Sequence, residues 1–266
     1  MRKLFLMLAA VFVLTTSIQV TTASANAEEK WLDTSKLNNG VVSVAYDVKS
    51  DVKTKVMITK GNEKYTYSLT DAKENFPLQL GNGDYTVSVL ENTSGNKYKV
   101  VSKEEVSLEL DDTNTVFLNS IQNVKWNSSN KAIQKAKELT ANKKTDSEKV
   151  KAIYNYIVNN VSYDYDLAAN LPTDYLPNID RTLSSKKDIC YGYSALFAAM
   201  LRSVDIPTKL VMGNTTYVKQ YHAWNEVMLN GEWVIVDTTV DAGLKKANKK
   251  YEFAKEASKY TTAKEY

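Results

Sequence analysis

The sequence predicts an α+β protein in two halves. Residues 41–119 alternate polar and apolar side chains in short runs, the period of strands, and after Trp126 the period changes to that of helices. A second observation gives the later half a chemistry: the chain has one cysteine, Cys190, and one histidine, His222, and both lie there. With 24% charged and 43% apolar residues the 266-residue chain has a folded, globular composition. Single cores stop growing at roughly 250–300 residues, so two domains are expected. The predicted division is a leader over 1–27, an all-β domain over 28–122 and a second domain over 123–266.

Arg2 and Lys3 precede an apolar run at 4–14, and Ala25-Asn26-Ala27 supplies the small residues of a cleavage site. This is the pattern of a secretory signal peptide. The apolar run is too short for a membrane span, which needs roughly 20 residues. No later segment is apolar enough, and no cysteine follows the leader to carry a lipid. The expectation is a secreted, extracellular protein that does not span a membrane. Without the leader, 32 basic residues face 31 acidic ones. No stretch combines clustered Lys and Arg with aromatics in the way that would track a phosphate backbone, so nucleic acid is not an expected partner.

In the first half, strands are predicted around Val41-Val42-Ser43-Val44-Ala45, 55–58, 65–69 and 85–89. Lys60-Gly61-Asn62, Gly81-Asn82-Gly83-Asp84 and Ser94-Gly95-Asn96 supply turns where positive φ is easily reached. About seven evenly spaced strands with no intervening helix favour an antiparallel sandwich of immunoglobulin-like type, although no cysteine pair pins that topology.

In the second half, Ser128-Ser129-Asn130 can start a helix over 131–139. Thr145-Asp146-Ser147-Glu148 is a capping box for a longer one, whose buried face carries Val150, Ile153, Tyr154, Ile157, Val158 and Val161. Pro172 and Pro177 make 162–187 read as a long ordered loop walling a cleft. Cys190 falls in the first turn of a helix-forming run that Asp205-Ile206-Pro207 ends. There the helix dipole and unpaired N–H groups favour a thiolate. The same helix would equally shelter a buried, inert thiol.

A lone cysteine closes no internal disulfide, and a lone histidine removes zinc sites built from several Cys and His ligands. A thiol enzyme with an imidazole base therefore has one available pair, Cys190 and His222. Asn230-Gly231 between two strand-like runs is a strong hairpin signal. A two-residue turn sets Leu229 opposite Glu232 and His222 opposite Thr239. Asp237 then shares the face of His222 as its diagonal neighbour, about 7–8 Å away between Cα atoms. That pair suits either the orienting contact of a nucleophile–base–acid constellation or an ordinary ion pair on a strand.

Four blocks occur in order: Asp-Ile-Cys-Tyr-Gly-Tyr-Ser-Ala-Leu-Phe at 188–197, Asp-Ile-Pro at 205–207, His-Ala-Trp-Asn-Glu-Val at 222–227 and Trp-Val-Ile-Val-Asp-Thr-Thr at 233–239. Over about 145–240 the chain resembles the transglutaminase-like superfamily. Tyr163-Asp164-Tyr165-Asp166 is similar to the segment before the cysteine in bacterial members. The resemblance implies a papain-like catalytic domain with Cys190 as nucleophile, His222 as base and Asp237 as orienting acid. It implies substrates that are proteins or peptides, including surface or cell-wall proteins; no cofactor or metal is expected. Asp188 and Asp205 stand where many relatives carry glycine.

The implied reaction is thiol acyl transfer through a thioester, ending in crosslinking when an amine accepts and in hydrolysis when water does. The alternative is an inactive scaffold serving as a surface binding or adhesion module. Tyr163 and Tyr165 are candidates for a second oxyanion donor beside the Cys190 backbone N–H. Trp224 shares the face of His222, where it would line a groove or pack the sheet. The acidic pairs Asp111-Asp112 and Asp164/Asp166 lack the spacing of a calcium loop. The last 23 residues, with seven Lys and three Glu, read as a solvated charged helix, and the 29 residues after Asp237 leave little material for an acceptor-binding wall beyond the hairpin.

Overall fold

Alternation of buried and exposed side chains organises the first half of the chain. The computed structural model describes residues 30–266, so the predicted leader at 1–27 lies outside the described residues. Seven strands come first: β1 (Leu32–Asp33), β2 (Val41–Ala45), β3 (Thr54–Lys60), β4 (Glu63–Leu69), β5 (Lys73–Pro77), β6 (Gly83–Ser94) and β7 (Lys97–Leu108). They form two antiparallel sheets of order β1-β2-β5 and β4-β3-β6-β7. Val42, Val44 and Phe76 from the first sheet share one core with Val56, Ile58, Tyr85, Val87 and Val89 from the second. Constant-type immunoglobulin domains place the fourth strand beside the fifth, on the sheet of the first two. Here β4 pairs with β3 instead.

The second half is mixed α and β. It contains α1 (Lys131–Thr140), α2 (Asp146–Asn160), β8 (Ser162–Tyr163), α3 (Tyr165–Ala169), α4 (Ile179–Ser185), β9 (Lys187–Asp188), α5 (Cys190–Arg202), β10 (Thr208–Thr215), β11 (Val218–Leu229), β12 (Glu232–Val236), α6 (Thr238–Lys246) and β13 (Tyr260–Glu265). The antiparallel sheet β12-β11-β10-β13 supports α5, which is buried on every side from Gly192 to Arg202. A helix apolar all round belongs in a core, and α5 packs against α1, α2, α4, α6 and the sheet. Among the described residues no helix is long and apolar enough to cross a membrane.

Two expectations are corrected. Residues 162–187 are not one loop: both prolines lie between α3 and α4, and Asn178, directly after Pro177, caps α4 by accepting from the Arg181 N–H at 2.9 Å. The charged tail carries no α-helix beyond Lys246, only a short 3-10 turn at Ala257–Lys259. Its end runs as β13 along β10, closing the sheet.

The two cores meet in the compact unit 31–266. Alternation along β2 sends Val42 into the sandwich core and Val41 into the other, and Tyr266 packs against both. Arg202, at the end of α5, is fully buried. It donates to the carbonyl oxygens of Thr208 (2.9 Å), Asn119 (2.7 Å) and Tyr266 (2.8 Å). Burial pulls its guanidinium down to about 9, which still leaves it charged at neutral pH.

Candidate active site

Cys190 is the first residue of α5, preceded by Ile189 as an N-cap that offers no side-chain acceptor. The first-turn N–H groups are therefore uncapped where the half-exposed thiol lines a cleft. Asp188 fixes this start. Its fully buried carboxylate accepts from Tyr175 Oη (2.6 Å), Thr182 Oγ1 (2.6 Å), Arg181 Nη2 (3.0 Å) and the Ile189 N–H (2.9 Å). A Cβ on Gly192 would lie 2.0 Å from the Asp188 carboxyl carbon, so only glycine permits this approach. Where the sequence departs from the pattern of many relatives at Asp188, the structure supplies four donors and a missing side chain to receive it.

His222 sits on β11, held to α5 through Asn225. The Asn225 amide donates to the Ser194 and Lys209 carbonyl oxygens, each at 3.0 Å. The Asn230-Gly231 turn has φ of 54° and 85°, and the ladder runs from Leu229↔Glu232 to Asn225↔Val236. It stops there. Thr239 lies in α6 and not opposite His222, because Asp237 ends the strand and caps α6, its Oδ1 accepting from the Val240 N–H at 2.9 Å. Asp237 Oδ2 accepts from His222 Nε2 at 2.8 Å, with both side chains buried. Burial lowers the imidazole's proton affinity, but hydrogen bonds and charges from Asp237 and Cys190 outweigh it and carry His222 up to about 10.

Tyr260 is the residue that the sequence did not disclose. Its hydroxyl donates to the same Asp237 Oδ2 at 3.0 Å, and its ring packs on Trp224 at 4.9 Å. Trp224 in turn stacks beside His222 at 6.3 Å and is buried, so it braces the imidazole from within the sheet and does not line the cleft. Tyr-Thr-Thr at 260–262 is a strand-forming signal, but its partner β10 lies about 50 residues earlier. Tyr163 reaches the site through the parallel pairing of β8 with β9, opposite Asp188. Burial, then the charge of Cys190 and of Tyr165, raises its phenol above the ordinary range.

The cleft has a volume of about 550 Å³. Its lining includes Cys190 and His222, Tyr165, Ala168 and Ala169 of α3, and Val240, Gly243 and Leu244 of α6. The β10–β11 turn contributes Tyr217, Val218, Gln220 and Tyr221. Residues after Asp237 thus do line the cleft, which corrects the expectation that too little chain remains there to build a wall.

A thiol at a helix start, facing an imidazole that is held by a carboxylate, defines a cysteine–histidine–aspartate constellation in a mixed α/β domain. Residues 133–238 match the family model described as Transglutaminase-like superfamily, so this segment is similar to that superfamily. Human kyphoscoliosis peptidase is 34% identical over 119 residues, covering 38% of this chain and 16% of that protein. The mouse protein is 32% identical over 113 residues, with the same coverage. The chain thus spans about a sixth of the length of these relatives. Similar solved structures include a candidate cysteine protease from Cytophaga hutchinsonii, at 18% identity and TM-score 0.42, covering 75% of this chain and 72% of that one. Another is the periplasmic domain of TgpA from Pseudomonas aeruginosa, at 12% identity and TM-score 0.40, covering 81% and 94%.

Proposed function

We propose that this protein is a secreted cysteine acyl-transfer enzyme acting on amide bonds of proteins or peptides, with Cys190 as nucleophile, His222 as acid and base, and Asp237 as orienting acid. The observation that carries this reading is the His222–Asp237 hydrogen bond of 2.8 Å beside a thiol that lines the cleft. With Nε2 held by Asp237, the other ring nitrogen is left for Cys190. The thiolate attacks the amide carbonyl carbon, and the carbonyl electron pair moves to oxygen. Its collapse expels the amine, which takes the proton from His222, and leaves a thioester on Cys190. Water or an amine then gives its proton to His222 and attacks the thioester, releasing the thiolate. Water completes hydrolysis; an amine completes a crosslink.

The oxyanion is met by the backbone N–H of Cys190 and by a phenol of the cleft lining, Tyr163 or Tyr165. The domain division at 122/123 and the immunoglobulin-like reading of the sandwich, with its fourth strand moved to the β3 edge, belong to the same proposal. So does secretion, which rests on the leader at 1–27.

The test is iodoacetamide labelling of Cys190 across pH in the native protein and in His222→Ala, with the fold of each checked by circular dichroism. The expected result is rapid labelling that persists below about pH 8 and depends on His222. An ordinary thiol profile, the same in both proteins, would return Cys190 to a structural role and favour the binding module.

A further inference from the structure

The cleft over Cys190 carries no charge of its own beyond the reacting groups. Asp166 in α3, Lys219 in β11 and Lys245 in α6 all belong to the segments that wall it, yet none lines it. Asp241, also in α6, is turned into the core against Tyr154 and Lys255. The lining instead consists of aliphatic groups, amides and phenols. Thr239 there has a buried hydroxyl without a partner among the described residues.

The rim has a second property. Tyr165, Tyr217 and Tyr221 are 73%, 43% and 56% exposed, and they are three of the five large apolar side chains that stand exposed among the described residues. Exposed aromatics gathered at one mouth mark a contact surface, and tyrosine offers large area for little lost side-chain freedom. The backbone adds a third. β12 accompanies β11 only from Asn225 to Leu229, because Asp237 diverts the chain into α6, whereas β11 itself continues back to Val218. On that side β11 runs on past His222 with no β12 beside it, an edge on which an extended chain can pair. Val218, Gln220, Tyr221 and His222 of that edge all line the cleft, in a stretch where the pairing of β11 with β10 shifts register.

We propose that the cleft binds an extended, uncharged peptide segment and seats an apolar or aromatic side chain of the acyl donor next to the carbonyl that Cys190 attacks. This rests on the thiol-enzyme reading above and adds to it the class of donor. An ionised side chain entering this lining would lose its hydration and meet no counter-charge, whereas an apolar one gains burial.

The test uses acetyl-Gly-X chloromethyl ketones with X as Phe, Leu, Glu or Lys, on the full chain. The Cys190 sulfur displaces chloride, forming a C–S bond as the C–Cl bond breaks, and mass spectrometry follows the adduct. Each rate is divided by the iodoacetamide rate of the same protein, which removes intrinsic thiol reactivity. The Phe and Leu ketones are expected to lead the Glu and Lys ketones by about tenfold or more. Gly243→Glu has room, since a Cβ there meets nothing within 4 Å, and should move the Lys ketone ahead of the Glu ketone by about threefold or more. Ala168→Glu tests the α3 part of the lining in the same way should the first variant not fold. Four ketones reacting within about twofold of one another, or charged ones leading, would overturn the donor class while His222-dependent iodoacetamide labelling left the enzyme reading intact. Slow labelling by iodoacetamide itself would overturn both.

Discussion

Helices α2 and α5 pack against each other yet begin in opposite ways. At α2 a full capping box closes the start: Thr145 Oγ1 accepts from the Glu148 N–H at 3.3 Å, and Glu148 Oε2 accepts from the Thr145 N–H at 3.0 Å. At α5 the N-cap is Ile189, whose side chain accepts nothing. Leaving first-turn donors uncapped costs stability, so the difference locates where the fold forgoes stability and leaves donors open beside the nucleophile proposed above. A third helix, α6, combines the two arrangements. Its cap is Asp237, with one carboxylate oxygen on the Val240 N–H and the other on His222.

That double duty can be taken apart, and the largest effect is expected there. Asp237→Asn retains an oxygen for the α6 cap but removes the charge that holds the imidazole. Acyl transfer should fall about a hundredfold or more, while the cap survives. Asp237→Ala should lose a similar amount of activity and about 1 kcal/mol more stability, read by urea unfolding. The pH profile sharpens the distinction. On the proposed mechanism His222 carries a proton to release the amine, so the native rate should decline as pH rises through about 10. In Asp237→Asn that limb should move down towards the ordinary imidazole range. The stability contribution of a raised imidazole has the same sign. It is complete below the ordinary value of 6.5 and is lost as pH rises through about 10, so the native protein and the Asn variant should differ most in melting temperature on the acid side of that window.

Tyr260→Phe should produce a smaller loss, about tenfold in kcat with little change in KM, because one hydrogen bond to Asp237 Oδ2 is removed and the ring remains on Trp224. A merely structural tyrosine would change melting temperature and leave kcat alone. With its donor gone, Asp237 Oδ2 keeps more of its charge for His222, so the alkaline limb should hold its place or move up. A limb that moves down would show that Tyr260 does not act through Asp237.

These residues also show what the sequence could disclose. The hairpin register was legible because Asn230-Gly231 fixes a two-residue turn, and the pairing of Leu229 with Glu232 carries up to Asn225. His222 and Asp237 do meet, but beyond the end of that ladder, where Asp237 has left the strand to cap α6, so the register alone does not account for the contact. The capping box at Thr145 and the start of α5 at Cys190 were legible, since each is written within four residues. Tyr260 was not, because β13 is defined by pairing with β10, and seven lysines in the tail imitate a solvated helix. Nor was the Asp188 latch, which assembles Tyr175, Arg181 and Thr182 from a stretch whose prolines suggested only a loop. Local chemistry reads along the chain; contacts made by tertiary closure do not.

The smallest effect belongs to the capped helix, and it is the control on the whole comparison. Thr145 lies outside the cleft, on an exposed turn. Thr145→Ala removes the acceptor for the Glu148 N–H, and water can replace it there, so the expected loss is about 1 kcal/mol of unfolding free energy. The Glu148 carboxylate still accepts from the Lys144 N–H at 2.9 Å, which limits the damage to one half of the box. Labelling of Cys190 should be unchanged at temperatures where both proteins are folded. If it slows with the loss of this cap, α2 and α5 are coupled through their packing, and the uncapped start of α5 is not set by its own local sequence alone.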